Sequence, residues 1–104
     1  MKLWLDDIRP PCKHGCLGFE WAKTAEEAIA FLKTGKVTFA SLDHDLSIKA
    51  TLGDWSGERT GYDVVRWMED SGAWPVDGVR VHSLNPAGKA RMLVPIRAHY
   101  GREF

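Results

Sequence analysis

The chain has 104 residues, enough for one sizeable core and too few for two, so it reads as a single domain over 1–104. Fourteen Lys and Arg balance fourteen Asp and Glu, which excludes the broad electropositive face of a non-specific nucleic-acid binder; a phosphate-bearing ligand has to be held locally. The apolar runs fall far short of a membrane span, and the opening MKLWLDDIRPP lacks the apolar core and cleavage site of a signal peptide, so the expectation is a cytoplasmic protein with no membrane partner.

KLWL, from Lys2 to Leu5, is a short apolar strand that stops at Asp6 and Asp7. Pro10 with Pro11, then Gly15 and Gly18, make the following stretch a loop. Inside it, CKHGC sets Cys12 and Cys16 around His14. A closed zinc site wants a fourth ligand and usually a second pair, so reduced thiols are the simpler reading. EWAKT carries a short second strand. Thr24 and Glu27 have capping-box spacing, and Ala25, Ala28, Ile29 and Leu32 recur at helical period, so a helix starts at Thr24 and ends at Gly35.

VTFASL, residues 37–42, is the next strand and runs into SLDHDLS. Residues 46–59, with Gly53 and Gly57, form a loop long enough to serve as a lid or substrate wall. Its Trp55 is the tryptophan freest to stack on a base; Trp4, Trp21 and Trp67 fit packed positions, and Trp74 covers a core edge. Thr60 starts a second helix with Asp63 at N3 and Val64, Val65 and Met68 on one face. VRVHS, residues 79–83, is the last strand, and a helix follows with Asn85 as cap and Pro86 at its first position. Pro95 is expected to kink or split that helix. Strands alternating with helices predict an α/β sandwich around a mainly parallel sheet of about four strands.

Ligands of open parallel sheets collect beyond the carboxyl ends of the strands. Three strands end on chemistry there: Asp6 and Asp7, then Asp43, His44 and Asp45, then His82, Ser83 and Asn85. Close carboxylates repel unless a cation or a shared proton compensates, so Asp6, Asp7 and Asp43 make a candidate site for a hard divalent metal. Strand alternation sends Asp43 and His44 to opposite sides, which favours His82 as the acid or base. A helix beginning at Asn85 and Pro86 would aim the amides of Ala87 and Gly88 at the same crevice, with Ser83 adding a hydroxyl and Lys89 or Arg91 a charge one turn later. Arg9 is either a phosphate contact or a solvated loop charge.

Together LWLDDIRPP, SLDHDL, TGYDVVRW and VHSLNPAG resemble the cyclic-phosphate-processing receiver-like family, a compact relative of the response-regulator receiver fold, over nearly the whole chain. The resemblance implies a flavodoxin-like sheet, an acidic pocket of Asp6, Asp7 and Asp43, and processing of cyclic phosphates at RNA ends or in cyclic nucleotides. A receiver continues into a strand ending in lysine and a further helix, which this sequence lacks. Asp43 matches the receiver phosphoacceptor and Ser83 its switch hydroxyl; nothing matches the lysine, for which Lys89 is a conceivable substitute. With His44, Asp45 and His82 added, phosphoaspartate signalling is the weaker reading.

The leading expectation is therefore a metal-assisted phosphoesterase of cyclic phosphates. Mg2+ or Mn2+ would sit on Asp6, Asp7 and Asp43, while Arg9, Ser83, Asn85, Ala87 and Gly88 bind the phosphate. His82 would move a proton, with His44 and Asp45 orienting water. The alternative is a non-catalytic receiver-derived module that binds a phosphorylated nucleotide or a protein partner.

Overall fold

The computed structural model describes residues 1–11, 18–46 and 59–104. The elements run β1 (Lys2–Leu5), β2 (Phe19–Ala22), α1 (Ala25–Lys33), β3 (Phe39–Leu42), α2 (Gly61–Ser71), β4 (Val79–Val81) and α3 (Pro86–Tyr100). Residues 47–58 of the expected lid, Trp55 among them, and the Cys12, His14 and Cys16 triplet lie outside the described residues.

The four strands form one parallel sheet in the order β2-β1-β3-β4. Leu5 lies opposite both Ala22 and Leu42, and Leu42 opposite Val81. Successive strand side chains alternate between faces. On one face Leu3, Leu5, Ala40, Leu42, Val79 and Val81 join the buried sides of the helices, including Ile29, Val64, Met68, Met92 and Ile96, in a single core. The helices pack side by side, α2 between α1 and α3. This is the expected receiver-like α/β arrangement, with the described helices sharing one face of the sheet.

Trp4 is the exception to the expected packing. It alternates with the buried Leu3 and Leu5, so it stands on the opposite face, outside this core. There it meets Phe19 edge to face at 6.0 Å, and Phe19 meets Phe39 at 6.4 Å. Trp67 and Trp74 do pack against the core, partly buried.

The helix starts follow their sequence signals. Thr24 Oγ1 accepts from the Glu27 amide at 3.1 Å, and Thr60 and Asp63 close a reciprocal capping box, with Thr60 N donating to Asp63 Oδ2 at 2.7 Å. Asn85 Oδ1 caps α3 by accepting from Gly88 N at 3.0 Å. Pro95 does not split α3, which runs unbroken to Tyr100. Met92, Leu93, Pro95 and Ile96 are all buried there, and their packing offsets the backbone hydrogen bond that proline cannot make.

The start of α2 sits hard against the end of β3. Gly61 N donates to His44 O at 2.9 Å, and a Cβ on Gly61 would run into the Asp43 carbonyl. Gly61→Ala should therefore destabilise the protein by about 3 kcal/mol through overpacking, measured as the free energy of urea unfolding.

Candidate functional site

Parallel, in-register strands deliver the residues after Leu5, Leu42 and Val81 to one edge. The ladder continues one residue past each strand: Asp6 N donates to Ala22 O (3.0 Å), Asp43 N to Leu5 O (2.9 Å) and His82 N to Leu42 O (2.9 Å). Asp6, Asp43 and His82 consequently stand in a row.

Asp6 is 1% exposed, and its carboxylate is saturated with donors. Oδ1 accepts from the amides of Ile8 (2.9 Å) and Arg9 (2.8 Å); Oδ2 accepts from Arg9 Nε (3.0 Å) and faces His82 Nε2 at 3.1 Å. Burial pushes its pKa upward, but these partners outweigh burial and hold it below the usual carboxylate value. The Arg9 guanidinium also lies 3.9 Å from Asp43 Oδ2 and donates to the His82 carbonyl at 3.3 Å. Arg9 thus ties the ends of β1, β3 and β4 together. Trp4 Nε1 donates to Arg9 O at 2.8 Å, and Trp21 Nε1 to Asp6 O at 2.7 Å.

Asp43 is buried with fewer partners. Its Oδ1 accepts from the His44 amide at 2.8 Å. Burial, then the Asp6 charge, push its pKa up to about 6, against smaller opposing effects from the His44 amide, Ser83 and Arg9. Asp7 is also raised, by burial and by the charges of Asp6 and Asp45. Asp6, Asp7, Ile8, Arg9, Asp43, Asp45, Ser83 and Leu84 line a cleft of about 270 Å³. Ile8 and Leu84, 71% and 86% exposed, give this anionic cleft an apolar rim.

His82 lies behind this cleft. Its ring stacks on Trp4 with centroids 4.0 Å apart and planes 5° from parallel. Nδ1 is 2.8 Å from Ser41 Oγ, and Nε2 faces Asp6. Burial lowers its pKa to about 4 despite the Asp6 carboxylate, so at neutral pH the contact is a hydrogen bond to an uncharged imidazole.

His44 and Asp43 do point apart. His44 lines a second cleft, of about 370 Å³, with Thr60, Tyr62, Asp63, Asn85, Ala87, Gly88 and Arg91. Its Nδ1 is 2.7 Å from Asp45 Oδ1, and its ring leaves no room for a side chain at Gly88, where a Cβ would lie 2.5 Å away. Asn85 Nδ2 donates to the same Asp45 oxygen at 3.3 Å. The structure therefore groups Asp6, Asp7, Arg9, Asp43, Asp45 and Ser83 around one cleft and sets Asn85, Ala87, Gly88 and His44 around its neighbour, with Asp45 between them. Gly88 N is already bonded to Asn85 Oδ1.

One oxygen each of Asp6 and Asp43 and one His82 nitrogen lie within 4.8 Å of one another. Asp6 and His82 are engaged with each other and with further partners, however. Besides Asp6, the carboxylates lining the first cleft are Asp7, Asp43 and Asp45, residue types that suit a hard divalent cation. Sequence reasoning missed Ser41 and Arg80. Ser41 is wholly buried on the Trp4 face, and Arg80 Nε donates to its Oγ at 3.3 Å. A serine inside an otherwise apolar strand was the available signal.

A four-stranded parallel sheet in this order, with an acidic cleft at its carboxyl edge, defines a receiver-like α/β domain. Residues 1–98 match the cyclic-phosphate processing receiver domain, and the chain belongs to that family. No curated protein and no solved structure matched it. No helix among the described residues is long and apolar enough to cross a membrane.

The two shifted groups act oppositely on stability. Asp43, raised from 3.8 to about 6, contributes below pH 3.8 and loses that contribution as pH rises through 6. His82, lowered from 6.5 to about 4, contributes fully above pH 6.5 and loses it as pH falls through 4. Asp43→Asn should accordingly stabilise the protein by roughly 1–3 kcal/mol at pH 7.5. The gain should shrink as pH is lowered to 4.5, read from urea unfolding at both values.

Proposed function

We propose that this domain is a metal-assisted phosphoesterase that opens cyclic phosphates, either nucleoside or RNA-end 2′,3′-cyclic phosphates or cyclic nucleotides. The observation that carries the reading is the meeting of Asp7, Asp43, Asp45, Arg9 and Ser83 around one cleft at the carboxyl edge of the sheet. Family membership supports a phosphorylated substrate. Asp7 and Asp43 would hold Mg2+ or Mn2+, whose chemistry there is to polarise the phosphate and lower the pKa of a bound water. Their raised pKa values reflect burial and then like charge, and an added cation would offset that repulsion.

Arg9 and Ser83 bind phosphate oxygens, and the apolar rim of Ile8 and Leu84 meets the organic part of the ester. Asp45 is the proton carrier. Its Oδ1 is engaged by His44 and Asn85, which fix the carboxylate at the cleft wall, and its Oδ2 would take up the water. Water oxygen attacks phosphorus and its proton passes to Asp45. The ring P–O bond breaks, and the same proton returns to the departing alkoxide. The products are an acyclic phosphomonoester and a free hydroxyl. In this scheme His82 acts through Asp6, and Asn85, Ala87 and Gly88 shape the neighbouring cleft and support Asp45.

Product analysis with a panel of 2′,3′-cyclic and 3′,5′-cyclic nucleotides tests the proposal. Chelator-sensitive opening of at least one substrate is expected, with Asp45→Asn slowing turnover by about 10²–10⁴-fold. Binding without any opening would overturn the hydrolase reading in favour of a non-catalytic module. Arg9→Gln should weaken binding of inorganic phosphate by about tenfold, the loss of one charge-assisted contact, measured by titration calorimetry.

A further inference from the structure

Behind the cleft runs a chain of polar groups that stands outside the proton path of the proposed chemistry. Arg80 Nε lies 3.3 Å from Ser41 Oγ, Ser41 Oγ 2.8 Å from His82 Nδ1, and His82 Nε2 3.1 Å from Asp6 Oδ2. Ser41 is 0% exposed, and the His82 side chain 11%. The imidazole is clamped against Trp4.

Donor and acceptor bookkeeping orders these contacts. Asp6 Oδ1 accepts two backbone amides and Oδ2 the Arg9 guanidinium, an environment that selects the carboxylate, which can only accept. His82 Nε2 must then carry the hydrogen. At the other end a guanidinium can only donate, so Ser41 Oγ accepts from Arg80 and its own hydroxyl hydrogen needs an acceptor. His82 Nδ1 is that acceptor if it is unprotonated. Were Nδ1 to carry a hydrogen, Ser41 would accept twice, and its hydroxyl hydrogen would have no partner in a buried position, which is costly. The polarity of the chain is therefore set from both ends.

We propose that Ser41, braced by Arg80, donates to the bare Nδ1 of His82 and so fixes the ring whose Nε2–H Asp6 accepts, making Ser41 and Arg80 positioning residues for the acidic cleft. Their effect on turnover rests on the phosphoesterase reading; the tautomer does not. Asp6 anchors Arg9, so a change at Ser41 reaches the cleft through His82, Asp6 and Arg9 in turn.

Imidazole nitrogen chemical shifts of isotopically labelled protein at pH 7.5 test this directly. Wild type should show one His82 tautomer, with Nε2 protonated and Nδ1 bare. Asp6 keeps the tautomer in Ser41→Ala, but the bare Nδ1 loses its donor, so its nitrogen signal should move downfield toward that of an unbonded imidazole nitrogen; Ser41→Thr, which keeps the hydroxyl, should restore the wild-type position. Arg80 is exposed, so Arg80→Met is the second variant in case Ser41→Ala does not fold; it releases the Ser41 hydroxyl to turn away from Nδ1 and should move that signal the same way.

In turnover, Ser41→Ala and Arg80→Met should lower kcat by about 10- to 100-fold with little change in KM, as supporting hydrogen-bond partners of a site do. A wild-type Nδ1–H or imidazolium signal, or a folded Ser41→Ala or Arg80→Met with an unmoved Nδ1 signal, would overturn the proposal. If the Nδ1 signals respond as expected but wild type opens no cyclic phosphate, only the phosphoesterase reading falls.

Discussion

A buried carboxylate has to collect donors, and the way Asp6 does so organises this domain. Its two oxygens draw in the amides of Ile8 and Arg9, the Arg9 guanidinium and the His82 ring, while its carbonyl accepts from Trp21. These partners come from the loop after β1, from β2 and from the end of β4. Hydrogen bonds to charged groups contribute roughly 1.5–3 kcal/mol each, so loss of any one is felt by the others. The chain after β1 turns where it does because Asp6 holds two of its amides.

That satisfaction is unevenly shared. Asp6 stays an anion, while burial, joined by repulsion from Asp6, raises the pKa values of Asp43 and Asp7. Arg9 offsets part of the charge, approaching Asp43 only to 3.9 Å. The cleft is thus an anionic surface with an internal cation at its wall; in the proposed chemistry its Asp7 and Asp43 side would take the divalent ion and its Arg9 and Ser83 side the phosphate. His82 serves the first carboxylate from behind. Asp45 joins the cleft to its neighbour through His44 and Asn85.

Much of this was legible in the chain, for local reasons. Thr24, Thr60 and Asn85 announce helix starts because a cap is built from residues two or three apart. The two aspartates after KLWL and the charged turn after VTFASL mark strand ends because a buried strand cannot carry free carboxylates. Pro95 does not divide α3: one missing amide is a local penalty, and burial of its neighbours on the helix outweighs it. Trp4 was misleading, since an aromatic side chain in a strand suits either face and only the neighbouring strands decide which one holds the core.

Spacing along the chain carries the alternation of strands and helices, the caps, and the set of polar residues that emerges at the carboxyl edge. How that set is divided follows from the packing. The register of β1, β3 and β4 puts Asp6 within reach of His82 and places Ser41 beneath its ring, and the packing of α3 against His44 separates Asn85, Ala87 and Gly88 from the acidic cleft. Hydrogen bonds between residues as far apart as 41 and 82 or 6 and 82 are set by strand pairing, and no local pattern encodes them.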